Sequence, residues 1–179
     1  MNYFQFYNIT EDFLPDEKQI KETYYALSRK YHPDFHAQDD AERQLEILHL
    51  STLNTDAYRT LSNPDTRMQY ILEHHGLLEE GKNNELPASF LMEMMDLNEQ
   101  IMELDFDFDQ EVFEKVSQEV IGAAAALEAD ILPVLQQYPQ LEGITKLEAL
   151  QQVKTYYLKK KYLLRIQQSL SKFASQSHP

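Results

Sequence analysis

The chain has 179 residues, of which 16 are basic and 30 acidic, and it contains no cysteine and only 4 glycines. Its formal net charge of −14 disfavours general nucleic-acid binding, because that function needs a basic surface for the phosphates. The lack of cysteine excludes disulfides, zinc–thiolate sites, cysteine nucleophiles and thiolate ligation of an iron–sulfur cluster. The low glycine content favours helices over a fold with many tight turns. We therefore expect an all-α protein that does not bind nucleic acid.

The sequence also bears on location. It contains no run of about 18 apolar residues, which argues against a transmembrane span. The start, Met1-Asn2-Tyr3-Phe4, lacks the basic beginning and apolar core of a signal peptide and the Arg-rich character of a transit peptide. These features predict a cytoplasmic protein without a membrane partner.

Helix-breaking residues divide the chain into two parts. Between His74 and Pro87 lie two of the four glycines and a polar run, a composition typical of an interdomain linker. We predict a first domain over 1–75, a linker over 76–86 and a second domain over 87–179.

Three helical patterns are predicted in the first domain, after an aromatic turn at residues 3–7. The first pattern begins near Pro15 and stops near His32, because a residue before proline disfavours the α conformation. Its apolar stripe consists of Ile20, Tyr24, Leu27 and Tyr31. The second helix runs from about Asp40 to Leu61, and the third begins at Asn63-Pro64. The inner face predicted for the second helix consists of Leu50, Leu53, Ala57 and Leu61.

Three longer helices are predicted in the second domain. The first, from Pro87 to Asp105, carries apolar residues at the heptad-like spacing of a bundle seam, namely Phe90, Met94, Leu97, Ile101 and Leu104. The second follows a capping Asp109, and Pro133 is expected to kink or end it. Its apolar stripe consists of Val112, Val116, Val120, Leu127 and Ile131. The third runs from about Thr145 to Phe173 and uses Leu150, Val153, Tyr157 and Leu164.

The loop between the first two strong helices contains Tyr31-His32-Pro33-Asp34. Pro33 forces a sharp exit from the preceding helix, which places His32 and Asp34 at a loop tip within reach of a partner. Asp34 can accept a bidentate bond from a partner arginine. An ordinary proline turn with a capping aspartate is the alternative. A metal triad of His32, Asp34 and His36 is disfavoured, because alternate residues of a loop rarely converge on one ion.

The helix before this loop has a basic face, which we define as Lys18, Lys21, Tyr25 and Arg29. At about 100° per residue these positions lie opposite the apolar stripe of the same helix. Their cations can steer the chain toward an acidic surface of a partner.

In combination, these features resemble the J-domain, the module by which co-chaperones engage DnaK-type ATPase chaperones. The resemblance covers about residues 2–75 and includes His32-Pro33-Asp34, the segment Leu53–Pro64, and Arg67 and Tyr70 in the next helix. It implies that a chaperone is bound through the following residues: Lys18, Lys21, Tyr25, Arg29, His32, Pro33 and Asp34.

The first helix of the second domain has a second apolar face. At about 100° per residue, Met92, Met95 and Met102 point almost directly away from its seam, and carboxylates flank them. Methionine repacks easily against varied partners, so this face is predicted to bind another protein. The alternative is that another helix or the first domain covers it.

A narrower resemblance covers nearly the whole chain. An N-terminal J-domain of this size, a short linker and the segment Phe90–Glu99 are similar to the HscB family. This resemblance implies a J-domain helical hairpin and a C-terminal three-helix bundle in an L-shaped two-domain arrangement. It implies that the bundle binds an iron–sulfur scaffold of the IscU type through Leu91, Met92, Met95, Asp96, Glu99 and Glu103. An aromatic residue of the last helix also contributes in that family, and its match here stays open among Tyr156, Tyr157 and Leu158.

We interpret the chain as an adaptor without a cofactor, a metal or catalysis of its own. It would deliver the scaffold to an HscA/DnaK-type chaperone and stimulate the chaperone's ATPase through the His-Pro-Asp loop. The sequence contains no P-loop, no glycine-rich dinucleotide turn and no helical His-Glu-x-x-His motif. The alternative is a J-domain co-chaperone with a different client or a dimerising bundle.

Overall fold

The computed structural model describes residues 2–78 and 85–173, and within these ranges the chain is helical and has no β-strand. Met1, residues 79–84 of the predicted linker and residues 174–179 of the predicted second domain lie outside the described residues. The helices are α1 (Tyr3–Tyr7), α2 (Glu17–Lys30), α3 (Ala41–Leu61), α4 (Pro64–His74), α5 (Ala88–Phe106), α6 (Gln110–Gln137) and α7 (Gly143–Ser171), with 3-10 turns at Pro33–His36 and Tyr138–Gln140. None of the described helices combines the length and apolar character that a membrane span requires. The all-α prediction is confirmed.

The chain forms two compact units. The first ends at Gly76 and also includes Tyr138–Gln140, while the second takes Leu77–Gln137 and the chain from Leu141 onward. The Tyr138 hydroxyl donates to Glu11 Oε1 at 2.7 Å, and its ring packs edge-on against Phe13 at 4.6 Å. The range 87–179 predicted for the second domain includes this turn, which the structure groups with the first unit.

Capping residues set the helix ends of the first unit. Asp16 accepts a hydrogen bond from the Lys18 amide and begins α2, and Asp40 accepts one from the Arg43 amide and begins α3. Asn63 caps α4, whose first residue is Pro64. The predicted starts of these helices are confirmed to within two residues.

The inner face of α3 differs from its prediction. Ala57 and Leu61 are buried as expected, but Leu50 and Leu53 are only half-buried. Ile47 and Asn54 take the buried positions instead. Positions 47, 54 and 61 are seven residues apart, so the seam of α3 follows a heptad spacing that the apolar residues alone did not show.

Buried Asn54 holds α2 and α3 together. Its side-chain amide donates to the Tyr24 carbonyl at 3.1 Å and to Ser28 Oγ at 2.9 Å, both in α2. Its Oδ1 accepts a hydrogen bond from the Tyr7 hydroxyl at 3.0 Å. The rings of Tyr24 and Tyr58 stack beside it, with centroids 4.2 Å apart. This network fixes the hairpin that carries the loop.

The second unit is a bundle of α5, α6 and α7. All five predicted seam residues of α5 are buried, which confirms that prediction. In α6, Val116, Val120 and Ile131 are buried, and Val112 and Leu127 are half-buried.

Two predictions for the longer helices of the bundle are corrected. Pro133 lies inside α6, which continues to Gln137, so the alternative that this proline ends the helix is wrong. In α7, Leu150, Val153 and Tyr157 are buried as predicted, but Leu164 is 40% exposed and Leu163 is buried in its place. At about 100° per residue Leu163 lies about 140° from Leu150 around the helix, so the buried side of α7 changes along its length. Leu163 packs in the core cluster with Phe90 and Leu97 of α5, to which Leu150 does not belong.

Candidate partner-binding surfaces

The loop tip projects from the end of α2. Tyr31 caps the C-terminus of α2, and its amide donates to the Leu27 carbonyl at 2.8 Å. His32 then takes an extended conformation, as a residue before proline must. Its Nδ1 accepts a hydrogen bond from the Asp34 amide at 3.2 Å, which leaves Nε2 to carry the proton of the neutral ring. The Asp34 side chain is 86% exposed and that of His32 is 52% exposed, so both can reach a partner.

Hydrogen bonds of two side chains, His36 and Gln44, stabilise the conformation of this loop. The His36 ring lies between Lys30 and Asp39, with Nε2 3.0 Å from the Lys30 carbonyl oxygen and Nδ1 2.7 Å from Asp39 Oδ2. The Gln44 amide of α3 donates to the carbonyl oxygens of Ala37 and Asp39. Because both nitrogens of His36 are engaged in this way, the ring serves the loop's conformation.

Hydrogen bonding also affects the titration of His36. Its bond to the Lys30 carbonyl raises the pKa of the His36 imidazole, and the hydrogen bond and charge of Asp39 raise it further. Both neighbours accept hydrogen bonds, so they favour the imidazolium, in which both ring nitrogens are donors.

The structure places the basic face on the exposed side of α2. All four of its residues, Lys18, Lys21, Tyr25 and Arg29, are exposed, and the Tyr25 side of the helix lies opposite buried Ile20. Lys18 forms a 3.8 Å ion pair with Glu22 one turn along. The basic face and the loop tip thus belong to the same helix and its immediate exit.

The structure adds an apolar groove that the sequence analysis missed. It has a volume of about 630 Å³ and lies between the loop and the start of α3, with Pro33, Asp34, Leu45 and Leu48 in its lining. Leu45 and Leu48 are 68% and 55% exposed, and the neighbouring Phe35 is 70% exposed. The spacing of Ala41, Leu45 and Leu48 at i, i+4 and i+7 was the available signal.

The orientation of α5 is fixed by its contacts with α7. The Asn98 amide donates to the Tyr162 hydroxyl at 2.8 Å, and the ring of Phe90 packs edge-on against the same tyrosine at 5.7 Å. Lys159 Nζ lies 5.1 Å from the centroid of the Phe90 ring. These contacts lie on the seam side and turn the opposite side of the helix toward solvent.

That opposite side, the outer face of α5, consists of Leu91, Met92, Met95, Asp96, Glu99, Met102, Glu103 and Phe106. Met92, Met95 and Met102 are 69%, 58% and 61% exposed, so the alternative that another helix of the bundle covers them is wrong. The three carboxylates are exposed as well, and α5 contains no lysine or arginine. Methionine thioethers bordered by carboxylates suit a partner with an apolar patch and basic surroundings.

Phe106 is a member of this face that the sequence analysis missed. It is 89% exposed and follows Met102 by four residues, which is one turn of the helix. Its spacing of four residues from Met102 was the available signal that it lies on the same face.

The three residues of α7 left open by the sequence occupy different environments. Tyr156 and Tyr157 are 7% and 6% exposed, whereas Leu158 is half-buried. Tyr156 also lines a groove between α6 and α7, together with Leu127 and Ile131. The choice among the three for scaffold contact stays a prediction.

A helical hairpin with an exposed His-Pro-Asp loop, followed by a separate helical bundle, defines a two-part J-domain protein. Comparison with known families agrees: the DnaJ domain model matches residues 2–70, and the model described as the HSCB C-terminal oligomerisation domain matches residues 86–171. The chain belongs to the HscB family, which is a family of co-chaperones and not of enzymes.

Individual relatives support this assignment. An HscB homologue of Neisseria meningitidis is 32% identical over 66% of this chain and 72% of its own length. One from Psychromonas ingrahamii is 36% identical over 76% of this chain and 80% of its own length. The solved structure of chaperone HscB from Vibrio cholerae shares the fold, with a TM-score of 0.62, 22% identity, and coverage of 98% of this chain and 99% of its own.

Proposed function

We propose that the protein binds an IscU-type iron–sulfur scaffold through the outer face of α5 and delivers it to an HscA/DnaK-type chaperone. It stimulates the ATPase of that chaperone through His32, Pro33 and Asp34 and has no catalytic activity of its own. The first domain, 1–75, binds the chaperone, and the bundle, 87–179, binds the client. The protein acts in the cytoplasm. The observation that carries this proposal is the exposed His-Pro-Asp loop on a chain of the HscB family.

The geometry of the loop supports the chaperone contact. The Asp34 carboxylate is 86% exposed at the tip of a loop whose base is braced by His36 and Gln44. A pre-ordered loop loses less conformational entropy on binding than a loose one. The exposed cations of the basic face on the preceding helix raise the rate of association with an acidic chaperone surface.

The outer face of α5 supports the scaffold contact. Its exposed methionines offer an apolar centre, and Asp96, Glu99 and Glu103 supply charge around it. Interfaces commonly place adaptable apolar side chains at the centre and charged residues at the rim. The same arrangement leaves the seam of the helix free to hold the bundle together.

Self-association of the bundle is a second candidate function. The description of the matching family model as an oligomerisation domain favours it. The exposed Met92, Met95 and Phe106 provide an apolar surface on which a second copy could pack. Sedimentation velocity of the full chain over a range of concentrations separates a monomer from a dimer.

The test of the proposed function is a single-turnover ATPase assay with a purified HscA/DnaK-type chaperone. The wild-type chain should accelerate ATP hydrolysis, and the chain alone should hydrolyse none. His32→Gln should abolish the acceleration, whereas His49→Gln, the same chemical change at an exposed site on α3, should retain it. Full stimulation by His32→Gln would refute the role proposed for the loop.

A further inference from the structure

The methionines of this protein lie in two different environments. On the outer face of α5, Met92, Met95 and Met102 are 69%, 58% and 61% exposed. Met94, in the seam of the same helix, is 4% exposed, and Met68 in α4 is 7% exposed. The chain contains no cysteine, so its sulfur is all in methionine. Among the described residues, a dissolved oxidant therefore meets sulfur chiefly on the outer face of α5.

We infer that this face is a site of reversible methionine oxidation, and that oxidation of Met92, Met95 and Met102 switches off client binding. The oxidant is a peroxide, which acts on the thioether sulfur. The inference rests on the proposed function, because that proposal assigns the scaffold to this face.

The oxidation is a two-electron reaction. The sulfur lone pair attacks one oxygen of hydrogen peroxide, an S–O bond forms and the O–O bond breaks. The thioether sulfur is oxidised to a sulfoxide, and the other peroxide oxygen leaves as water after proton transfer. Sulfoxide reductases return the methionine with a dithiol as the two-electron reductant: the dithiol is oxidised to a disulfide, and the sulfoxide oxygen leaves as water.

The sulfoxide differs from methionine in polarity, the property on which an apolar contact depends. A thioether is apolar and flexible, whereas a sulfoxide carries a strongly polar oxygen. When a partner covers it, that oxygen loses its hydrogen bonds to water, and an apolar contact offers no replacement. Three sulfoxides on one helix face thus weaken an interface centred on these side chains.

The fold does not depend on the same sulfur atoms. The bundle core uses Met94, Leu97 and Ile101 on the opposite side of α5, and Asn98 links that side to Tyr162. Oxidation confined to the outer face leaves these contacts intact. The loss of binding is therefore separable from unfolding.

The first test is peptide mapping by mass spectrometry after brief treatment of the full chain with hydrogen peroxide. Met92, Met95 and Met102 should each gain one oxygen at least about tenfold faster than Met94 and Met68, since reactivity follows exposure. The chain is digested into peptides, and fragmentation of the peptide that contains Met94 and Met95 assigns the added oxygen to one or the other. Equal rates at Met94 and Met95 would overturn the assignment of the site.

The second test measures scaffold binding by calorimetry, with peroxide removed before the scaffold is added. Treated wild-type protein should bind at least about tenfold more weakly than untreated protein. Reduction of the treated sample by sulfoxide reductases, with a dithiol as reductant, should restore the affinity. Thermal melting of the treated sample should match that of the untreated one.

Variants identify the responsible residues, each compared with its own untreated sample so that the effect of the substitution itself cancels. Met94→Leu should keep the sensitivity to peroxide, whereas the triple variant Met92→Leu/Met95→Leu/Met102→Leu should lose it. If untreated wild type binds the scaffold and treated wild type binds it equally well, this inference is overturned and the proposed function stands. If untreated wild type does not bind the scaffold, the proposed function fails, and the switch fails with it.

Discussion

His36 Nε2 lies 3.0 Å from the carbonyl oxygen of Lys30, so the far end of the His-Pro-Asp loop is tied to the last residue of α2. The same ring contacts Asp39 at 2.7 Å through Nδ1. His36 therefore closes the loop around His32 and Asp34. This contact explains how an exposed tripeptide keeps a defined shape without being buried itself.

The closure should depend on pH. The Lys30 carbonyl, and then Asp39, raise the pKa of His36 above its ordinary value of about 6.5. The contribution of His36 to the free energy of unfolding is thus fully present below about pH 6.5, and it is lost as the pH rises through the raised pKa of the folded state. Between about pH 6 and pH 8, the free energy of unfolding measured by urea titration should fall more for wild type than for His36→Gln. An NMR titration of His36 with a midpoint at or below about 6.5 would contradict this.

The basic face should act mainly through the rate of association. Reversal of Lys21 and Arg29 to glutamate removes charge complementary to an acidic chaperone surface, so binding should become weaker and less dependent on salt. Surface plasmon resonance at about 0.05 M and 0.3 M salt measures both effects. The matched control reverses Lys115 and Arg165, which are exposed in the other unit. Equal losses in the two double variants would show that only net charge matters.

The two sides of α5 should differ in their contribution to folding. Leu97→Ala or Ile101→Ala removes a buried seam side chain and should cost about 2–5 kcal/mol of unfolding free energy. The double variant Met92→Ala/Met95→Ala changes exposed side chains and should cost less than about 1 kcal/mol. Urea titration followed by circular dichroism compares them. A large loss in the methionine variant would mean that this face stabilises the bundle.

The predictable parts of the fold were those with a local pattern. The seam of α5 follows from the spacing of its apolar residues, and the end of α2 follows from Pro33. The heptad spacing of Leu150 and Tyr157 predicts Leu164 in the core, but Leu163 is buried instead because this half of α7 packs against α5.

The parts that sequence reasoning missed depend on contacts distant in the chain. Tyr138 pairs with Glu11 across 127 positions, and no local pattern marks either residue as a partner. Asn54 is polar, so the pattern of apolar residues does not include it. It is nevertheless only 1% exposed, and its burial is tolerated because its amide donates hydrogen bonds to Tyr24 and Ser28. The sequence suggests for His36 only a disfavoured role as a metal ligand, because its structural role depends on where the Lys30 carbonyl points.

We propose that one chain joins scaffold and chaperone through two separate surfaces. An assembly experiment tests it most directly: the IscU-type scaffold is immobilised on a biosensor, then the full chain and the ATP-bound chaperone are added in turn. Wild type should load onto the scaffold and recruit chaperone above the level seen without the chain. Asp34→Asn should load but recruit none, and Met92→Ala/Met95→Ala should load poorly. Recruitment by Asp34→Asn equal to wild type, or full loading of the methionine variant, would contradict the account.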